Sequence, residues 1–92
     1  MYDISFDDIE HVKKYYLQSE QPLVIKSWPS KDKRKFILST MIIKLFKEGI
    51  SYQEIDVNEI LSNIYEDYVT IRRHLIDYGF LKRTNDGSKY WV

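Results

Sequence analysis

Asp67-Tyr-Val-Thr-Ile-Arg-Arg-His-Leu-Ile-Asp-Tyr-Gly-Phe-Leu-Lys-Arg-Thr-Asn-Asp-Gly-Ser-Lys-Tyr-Trp-Val92 is the stretch of sequence that decides the fold. Apolar side chains recur at three- and four-residue spacing in its first half. This pattern predicts an amphipathic helix that begins near Asp67 and ends at Gly79. Two β-prone runs follow, joined by Asn85-Asp-Gly87, and Asp-Gly between such runs is a strong hairpin signal. The chain is therefore predicted to end in a helix followed by a β-hairpin.

Two further helices are predicted in the same domain, between Ser30 and this stretch. The first is expected to be capped by Ser30, to run to about Phe46 and to stop at Gly49. A brief extended segment follows, and the next helix is expected to start at a capping box beginning at Ser51 or at an Asp56 cap. The resulting order is helix, strand, helix, helix and hairpin. It predicts an α+β fold, a small winged helix-turn-helix-like domain over residues 30–92.

Residues 1–29 are predicted to form an arm attached to that domain. Ser5 is a suitable N-cap for a first helix that ends near Leu17. A short β-prone run over residues 23–28 follows Pro22 and includes Trp28. Because tyrosine and tryptophan are enriched in contacts between chains, this N-terminal helix and short strand are also the predicted homodimer contact.

Composition limits the class of protein. Ninety-two residues are enough for one domain, and an apolar content of 43% predicts a real core. The absence of cysteine excludes disulfides and thiolate zinc sites. The acidic N-terminus predicts no signal peptide, and no apolar run is long enough to cross a membrane. We expect a cytoplasmic protein with no membrane partner.

The net charge of zero conceals blocks of opposite sign. Residues 1–29 carry three cations and five anions, a sum of −2, and residues 30–49 carry six and two, a sum of +4. Residues 50–67 carry five anions alone, a sum of −5, and residues 68–92 carry five cations and two anions, a sum of +3. Such blocks either form a one-sided field or neutralise one another in the fold.

No pattern for catalysis or cofactor binding is present. The three glycines form no phosphate loop, nucleophile elbow or dinucleotide fingerprint. Asp7, Asp8 and His11 are spaced to share one helical face, but a metal site needs three or four ligands, and acids beside a surface histidine are the simpler interpretation. The sequence predicts no enzyme, no cofactor and no metal.

The cations of the last block support two interpretations. In a helix-turn-helix, the final helix enters the major groove of double-stranded DNA, and the hairpin contacts the phosphates. The predicted DNA-binding residues are Thr70, Arg72, Arg73 and His74 on the helix and Lys82, Arg83 and Lys89 on the hairpin. Alternatively, these charges belong to a salt-bridged face, in which Asp67, Arg73 and Asp77 form a structural charge network.

Several motifs are long and specific. They are Trp28-Pro-x-Lys31, Val57-Asn-Glu-Ile-Leu61, Asp67-Tyr68, Arg72-Arg-x-Leu-Ile-Asp-Tyr-Gly-Phe-Leu-x-Arg83 and Asp86-Gly-Ser-x-Tyr-Trp91. From about Leu23 to Val92, the chain resembles an uncharacterised bacterial domain-of-unknown-function family that is often attached to winged-helix transcriptional regulators of the ArsR type. The resemblance implies a winged-helix shape, a bacterial cytoplasmic setting and an association with gene regulation. It brings no catalytic residue and no ligand.

Two functions therefore remain open at this stage. The first is a DNA-binding transcriptional regulator, or an accessory domain of one. The second is a protein–protein or ligand-responsive module that keeps the winged-helix shape without touching DNA.

Overall fold

The computed structural model describes residues 2–92, and the chain folds into the α+β class that the sequence predicts. A 3₁₀ turn, Ile43–Leu45, extends the second helix. The elements are α1 (Phe6–Tyr16), β1 (Leu17–Ser19), β2 (Val24–Ile25), α2 (Asp32–Ile42), α3 (Glu54–Ser62), α4 (Tyr68–Asp77), β3 (Lys82–Arg83) and β4 (Tyr90–Trp91).

The predicted C-terminal helix and hairpin are both present. Asp67 caps α4 by accepting from the Thr70 amide at 3.3 Å, and the left-handed φ of 79° at Gly79 turns the chain out of the helix. β3 and β4 pair antiparallel. Between them, the Asp86 carboxylate accepts from the Thr84 hydroxyl at 2.7 Å and from the Ser88 amide at 3.0 Å. These bonds hold the pKa of Asp86 at about 2 and close the turn.

The extended segment between α2 and α3 also forms as predicted, and the hairpin gains a third strand-like member from it. Tyr52 and Tyr90 exchange two backbone hydrogen bonds, at 2.7 and 2.8 Å. The Tyr90 side chain is only 1% exposed, so this pairing lies at the edge of the core. From α2 onward the order is helix, extended segment, helix, helix and hairpin.

Two helix starts differ from prediction. α2 begins at Asp32 rather than directly after Ser30, and its N-cap, Lys31, makes no side-chain cap. α3 begins at Glu54 with a capping box between Gln53 and Asp56, instead of one that starts at Ser51. The second difference has a clear cause. The backbone of Tyr52 is committed to pairing with Tyr90, so the helix cannot begin before residue 53.

The N-terminal segment packs into the same core as the rest of the chain. Val12 is fully buried, and Leu17 and Ile25 join it in one continuous cluster with side chains from α2, α3, α4 and the hairpin. The Ile25 amide donates to the Ile64 carbonyl at 2.9 Å, and Lys33 of α2 pairs with Asp8 of α1 at 2.9 Å. The strand expected over residues 23–28 is limited to 24–25. Residues before 30 thus form one side of the core.

A polar contact ties the start of α2 to the end of α4. The Tyr78 hydroxyl donates to an Asp32 carboxylate oxygen at 2.6 Å, and Tyr2 donates to the other oxygen. The hydrogen bond from Tyr2, and then the one from Tyr78, lowers the pKa of Asp32. Burial, and then the Asp32 carboxylate, raises the pKa of Tyr78. The contact fixes the orientation of α4, the helix with most of the predicted functional residues.

Candidate nucleic-acid interface

A groove of about 350 Å³ separates α4 from the hairpin. Positions three, four and seven residues apart share one side of a helix, so α4 lines this groove with a single face. Arg83 of β3 closes it from the other side. The lining residues are Val69, Arg72, Arg73, Ile76, Asp77 and Arg83. The fold thus brings together three of the predicted cations, Arg72, Arg73 and Arg83.

Arg72 is committed to α3. Its Nη1 lies 3.2 Å from Glu54 Oε1 and also donates to the side-chain oxygen of Asn58. The Arg72 side chain is only 19% exposed, whereas that of Glu54 is 51% exposed. Both partners hold Nη1, and the largely buried side chain is therefore kept against α3. We therefore assign Arg72 to the packing of α4 against α3.

The predicted network of Asp67, Arg73 and Asp77 does not form. Asp67 instead caps α4, accepting from the Thr70 amide and from the Thr70 hydroxyl at 2.7 Å. Arg73 lies more than a full turn further along, out of reach of a cap carboxylate directed at the first turn. Within residues 2–92, Arg73 is exposed and forms no ion pair, with Asp77 or any other acid. The ion pair that fastens α4 belongs to Arg72 and Glu54.

The sequence predicted His74 as a DNA contact on the outward face of α4, but the structure covers its ring with Trp28. The His74 ring stacks on Trp28, with centroids 5.6 Å apart and planes at 30°, and Tyr78 lies beyond it at 6.0 Å. Burial, and then the charge of Lys35, lowers the pKa of His74. The ring is neutral at neutral pH and offers no cation to a phosphate. Sequence reasoning missed Trp28 as its partner because the two residues are far apart in the chain.

Thr70 is half-buried, and its hydroxyl donates its proton to the Asp67 carboxylate. The Thr70 hydroxyl can therefore act toward a DNA base only as a hydrogen-bond acceptor.

The cations of the hairpin face different directions. Side chains alternate along a strand, so Lys82 and Arg83 lie on opposite sides of β3. Arg83 lines the α4 groove, whereas Lys82 lines a separate depression with Lys44 and Glu48. Lys89 is exposed beside β4 and forms no ion pair in the described part of the chain. Of the seven predicted residues, Arg73 and Arg83 line the groove without an ion pair within residues 2–92, and Lys89 is exposed on the hairpin but does not line the groove.

Acidic and apolar groups share this surface. Glu54, Asp56 and Glu59 lie exposed on α3, and Asp77 lines the groove itself. Val69 is 46% exposed on the groove face, so the surface is apolar as well as charged. The groove therefore has a weaker positive potential than its three arginines alone would create.

The structure holds few other candidates for chemistry. Residues 2–92 contain no cluster of three or more histidine, cysteine, aspartate or glutamate side chains that could hold a metal ion. Of the acids near His11, Asp8 is hydrogen-bonded to the Ser5 amide and paired with Lys33, which lowers its pKa to about 2. Over the same residues, no helix has the length and apolarity needed to cross a membrane.

Residues 24–92 match the family model described as an uncharacterized protein conserved in bacteria, DUF2087. The chain belongs to the DUF2087 family. The DUF2087 match spans β2, Trp28, all of α2 to α4 and the hairpin, so the whole α4 groove lies inside it. No curated protein and no solved structure matches the chain.

The assignment of Arg72 can be tested by stability measurements. Arg72→Ala leaves Asn58 without its partner in a half-buried site, and we expect the free energy of unfolding to fall by about 1–2 kcal/mol. Arg73→Ala, one residue along and exposed, should change it by no more than about 0.5 kcal/mol. Urea unfolding followed by tryptophan fluorescence measures both. Equal losses in the two variants would contradict the assignment.

Proposed function

We propose that this domain binds double-stranded DNA through the groove between α4 and the hairpin. The observation that carries this proposal is the convergence of Arg73 and Arg83 on that groove, each without an ion pair within residues 2–92. An unpaired guanidinium is available for bidentate contact with a phosphate or a guanine edge.

Each available cation has a role that follows from its position. Arg73 is exposed on α4, the helix that the element order would direct toward the major groove, so we assign it the base-edge contact. Arg83 on β3 and Lys89 beside β4 are assigned to the phosphates on either side. Arg72 keeps α4 in position through Glu54 and Asn58 and does not itself contact DNA.

The acidic residues near the groove limit the affinity for DNA. Glu54, Asp77 and the ionised Asp86 lie near the proposed contacts, so binding rests on a few phosphate pairs. Each such pair contributes a slope of about −0.9 in a plot of log affinity against log salt concentration. We expect weak binding to generic duplex DNA, with a salt slope of only about −2 to −3 for the three available cations.

Fluorescence anisotropy with a labelled duplex at two salt concentrations tests the proposed DNA contact. The Arg73→Ala, Arg83→Ala double variant should bind at least about tenfold more weakly at low salt, with the salt slope reduced by about 1–2. Lys47→Ala is the matched control, since Lys47 is exposed and lies outside the groove. Absence of wild-type binding at low salt, or an equal loss in the control, would overturn the proposal.

A second candidate function is a protein–protein module of the same shape, and exposed apolar side chains favour it. Val69 and, on α3, Ile55 (69% exposed) lie among charges of both signs, a composition closer to a protein interface than to a DNA one. If wild-type protein does not bind DNA, Val69→Asp should abolish capture of a protein partner while leaving the fold intact.

Other predictions remain open within this proposal. A homodimer through the N-terminal segment would use Phe6 and Tyr15, which are 74% and 52% exposed on α1, because Trp28 is packed inside its own chain. Sedimentation velocity over a concentration series, with Phe6→Asp as the variant, would detect it. Cytoplasmic location, a link to ArsR-type regulators and a binding role without catalysis remain parts of the proposal.

A further inference from the structure

A second and larger groove, of about 710 Å³, lies between the N-terminal segment and α2. One wall comes from α1, the residues just before it and the turn between β1 and β2. The other comes from α2 and the 3₁₀ turn after it. None of its lining residues lies in the α4 groove. The volume is within the range of about 300–1,000 Å³ that small-molecule sites occupy.

The walls of this groove are mainly aliphatic. They contain five branched side chains and a methionine, a flexible residue that adapts to the shape of an apolar ligand. These residues are Ile4, Ile9, Leu23, Ile37, Met41 and Leu45. Leu45 is 42% exposed, so the apolar surface continues to the mouth of the groove.

The charged groups at this groove leave one net positive charge. Lys13 Nζ lies 3.0 Å from Glu20 Oε1, a contact that raises the pKa of Lys13, and the two charges cancel. Lys44 lies between this groove and the depression that contains Lys82 and Glu48, lining both, and it forms no ion pair within residues 2–92. The Thr40 hydroxyl already donates to the Ile37 carbonyl at 2.6 Å, so it has no proton left for an anion. Lys44 is thus the available cation.

We infer that this groove binds a medium-chain aliphatic carboxylate. The alkyl chain lies against the isoleucines and Met41, and the carboxylate pairs with Lys44 at the mouth. An aliphatic wall with a cation at one end matches an amphipathic anion and disfavours a neutral or a cationic ligand. This inference does not depend on DNA binding.

The groove is formed partly by the N-terminal segment and partly by the region that matches the DUF2087 family. Ile4, Ile9, Lys13 and residues 20–23 form one wall, and all of them precede residue 24, where the DUF2087 match begins. The opposite wall lies inside that match. The proposed ligand would therefore bridge the N-terminal segment and the family domain.

Methyl NMR tests the inference with octanoate and decanoate, each below its micellar concentration, and with decanol below its solubility limit. Decanoate should shift the methyl signals of Ile9, Ile37 and Met41 and leave those of Val69 and Ile76 unmoved. Decanoate should bind more tightly than octanoate by about fourfold for each buried methylene. Decanol should bind at least about tenfold more weakly than decanoate, because it carries no charge for Lys44.

Substitutions then distinguish a specific binding site from non-specific adsorption to an apolar surface. Lys44→Gln should reduce decanoate affinity by about tenfold and leave decanol binding unchanged. Lys47→Gln, an exposed lysine three residues along that does not line the groove, is the matched control and should change neither. Met41→Trp should block binding, with its fold checked by circular dichroism.

Three outcomes would overturn the inference. They are no methyl shift with decanoate, equal binding of decanol and decanoate, and equal effects of the Lys44 and Lys47 variants. Since the DNA experiment uses different residues, either result can fail without affecting the other.

Discussion

Val12→Asp is expected to destabilise the protein by about 4 kcal/mol or more, enough to leave a large fraction of the chain unfolded. The Val12 side chain is completely buried in the core between α1 and α2. Placing a carboxylate there requires it to be desolvated or protonated, with no cation designed to receive it. A domain of this size has a total stability of only about 5–10 kcal/mol. Urea unfolding followed by circular dichroism measures the loss.

Phe6→Asp is the matched control for that experiment. Phe6 is in the same helix but is 74% exposed, and an acidic residue in the first turn is favourable to the helix dipole. We expect a change within about 0.5 kcal/mol. A loss of stability in Val12→Asp as small as that in Phe6→Asp would show that the N-terminal segment contributes little to the core.

Trp28→Ala has the second-largest expected effect, a loss of about 3 kcal/mol. Trp28 is half-buried and stacks on His74 of α4, and its ring centroid lies 6.5 Å from that of Tyr65. It therefore joins the N-terminal segment to α4 and to the turn between α3 and α4. Truncation leaves a cavity beside both rings. The variant should also raise the pKa of His74 toward its ordinary value by admitting water, which a proton NMR titration can follow.

Two variants sharpen this second prediction. Trp28→Phe keeps an aromatic ring and removes the indole N–H, which is buried without a partner, so it should cost only about 1 kcal/mol. Tyr15→Ala removes a ring that is 52% exposed and should cost no more than about 1 kcal/mol. A loss in Trp28→Ala as small as that in Tyr15→Ala would show that the stack does not hold the segment in place.

Together these contacts change the interpretation of α4. Of its four predicted DNA contacts, the tertiary structure leaves only Arg73 unengaged. Arg72 pairs with Glu54, Thr70 donates to Asp67, and His74 is covered by Trp28. The proposed DNA contact therefore depends on Arg73 and the hairpin cations, a smaller set than the sequence indicated.

Local signals in the sequence were sufficient for the four helices and the C-terminal hairpin, but they did not predict β1. Helical periodicity located α1 and α4, Ser5 predicted the cap of α1, and Asp86-Gly87 predicted the hairpin. These features depend on residues a few positions apart, so they can be found without knowledge of the tertiary structure. The start of α3 at a Ser51 capping box was predicted too early, because the backbone of Tyr52 pairs with the distant Tyr90 and the helix begins only at Glu54.

By itself, the sequence determined the α+β class, the helix-and-hairpin order and the family. Only the tertiary structure decided which charges are available: it paired Arg72 with α3, left Arg73 exposed, covered His74 and placed Lys82 away from Arg83. The physical reason is range. Secondary structure follows from spacing along the chain, whereas the partner of a long cationic side chain is set by whichever acid or ring a neighbouring element brings within a few ångströms.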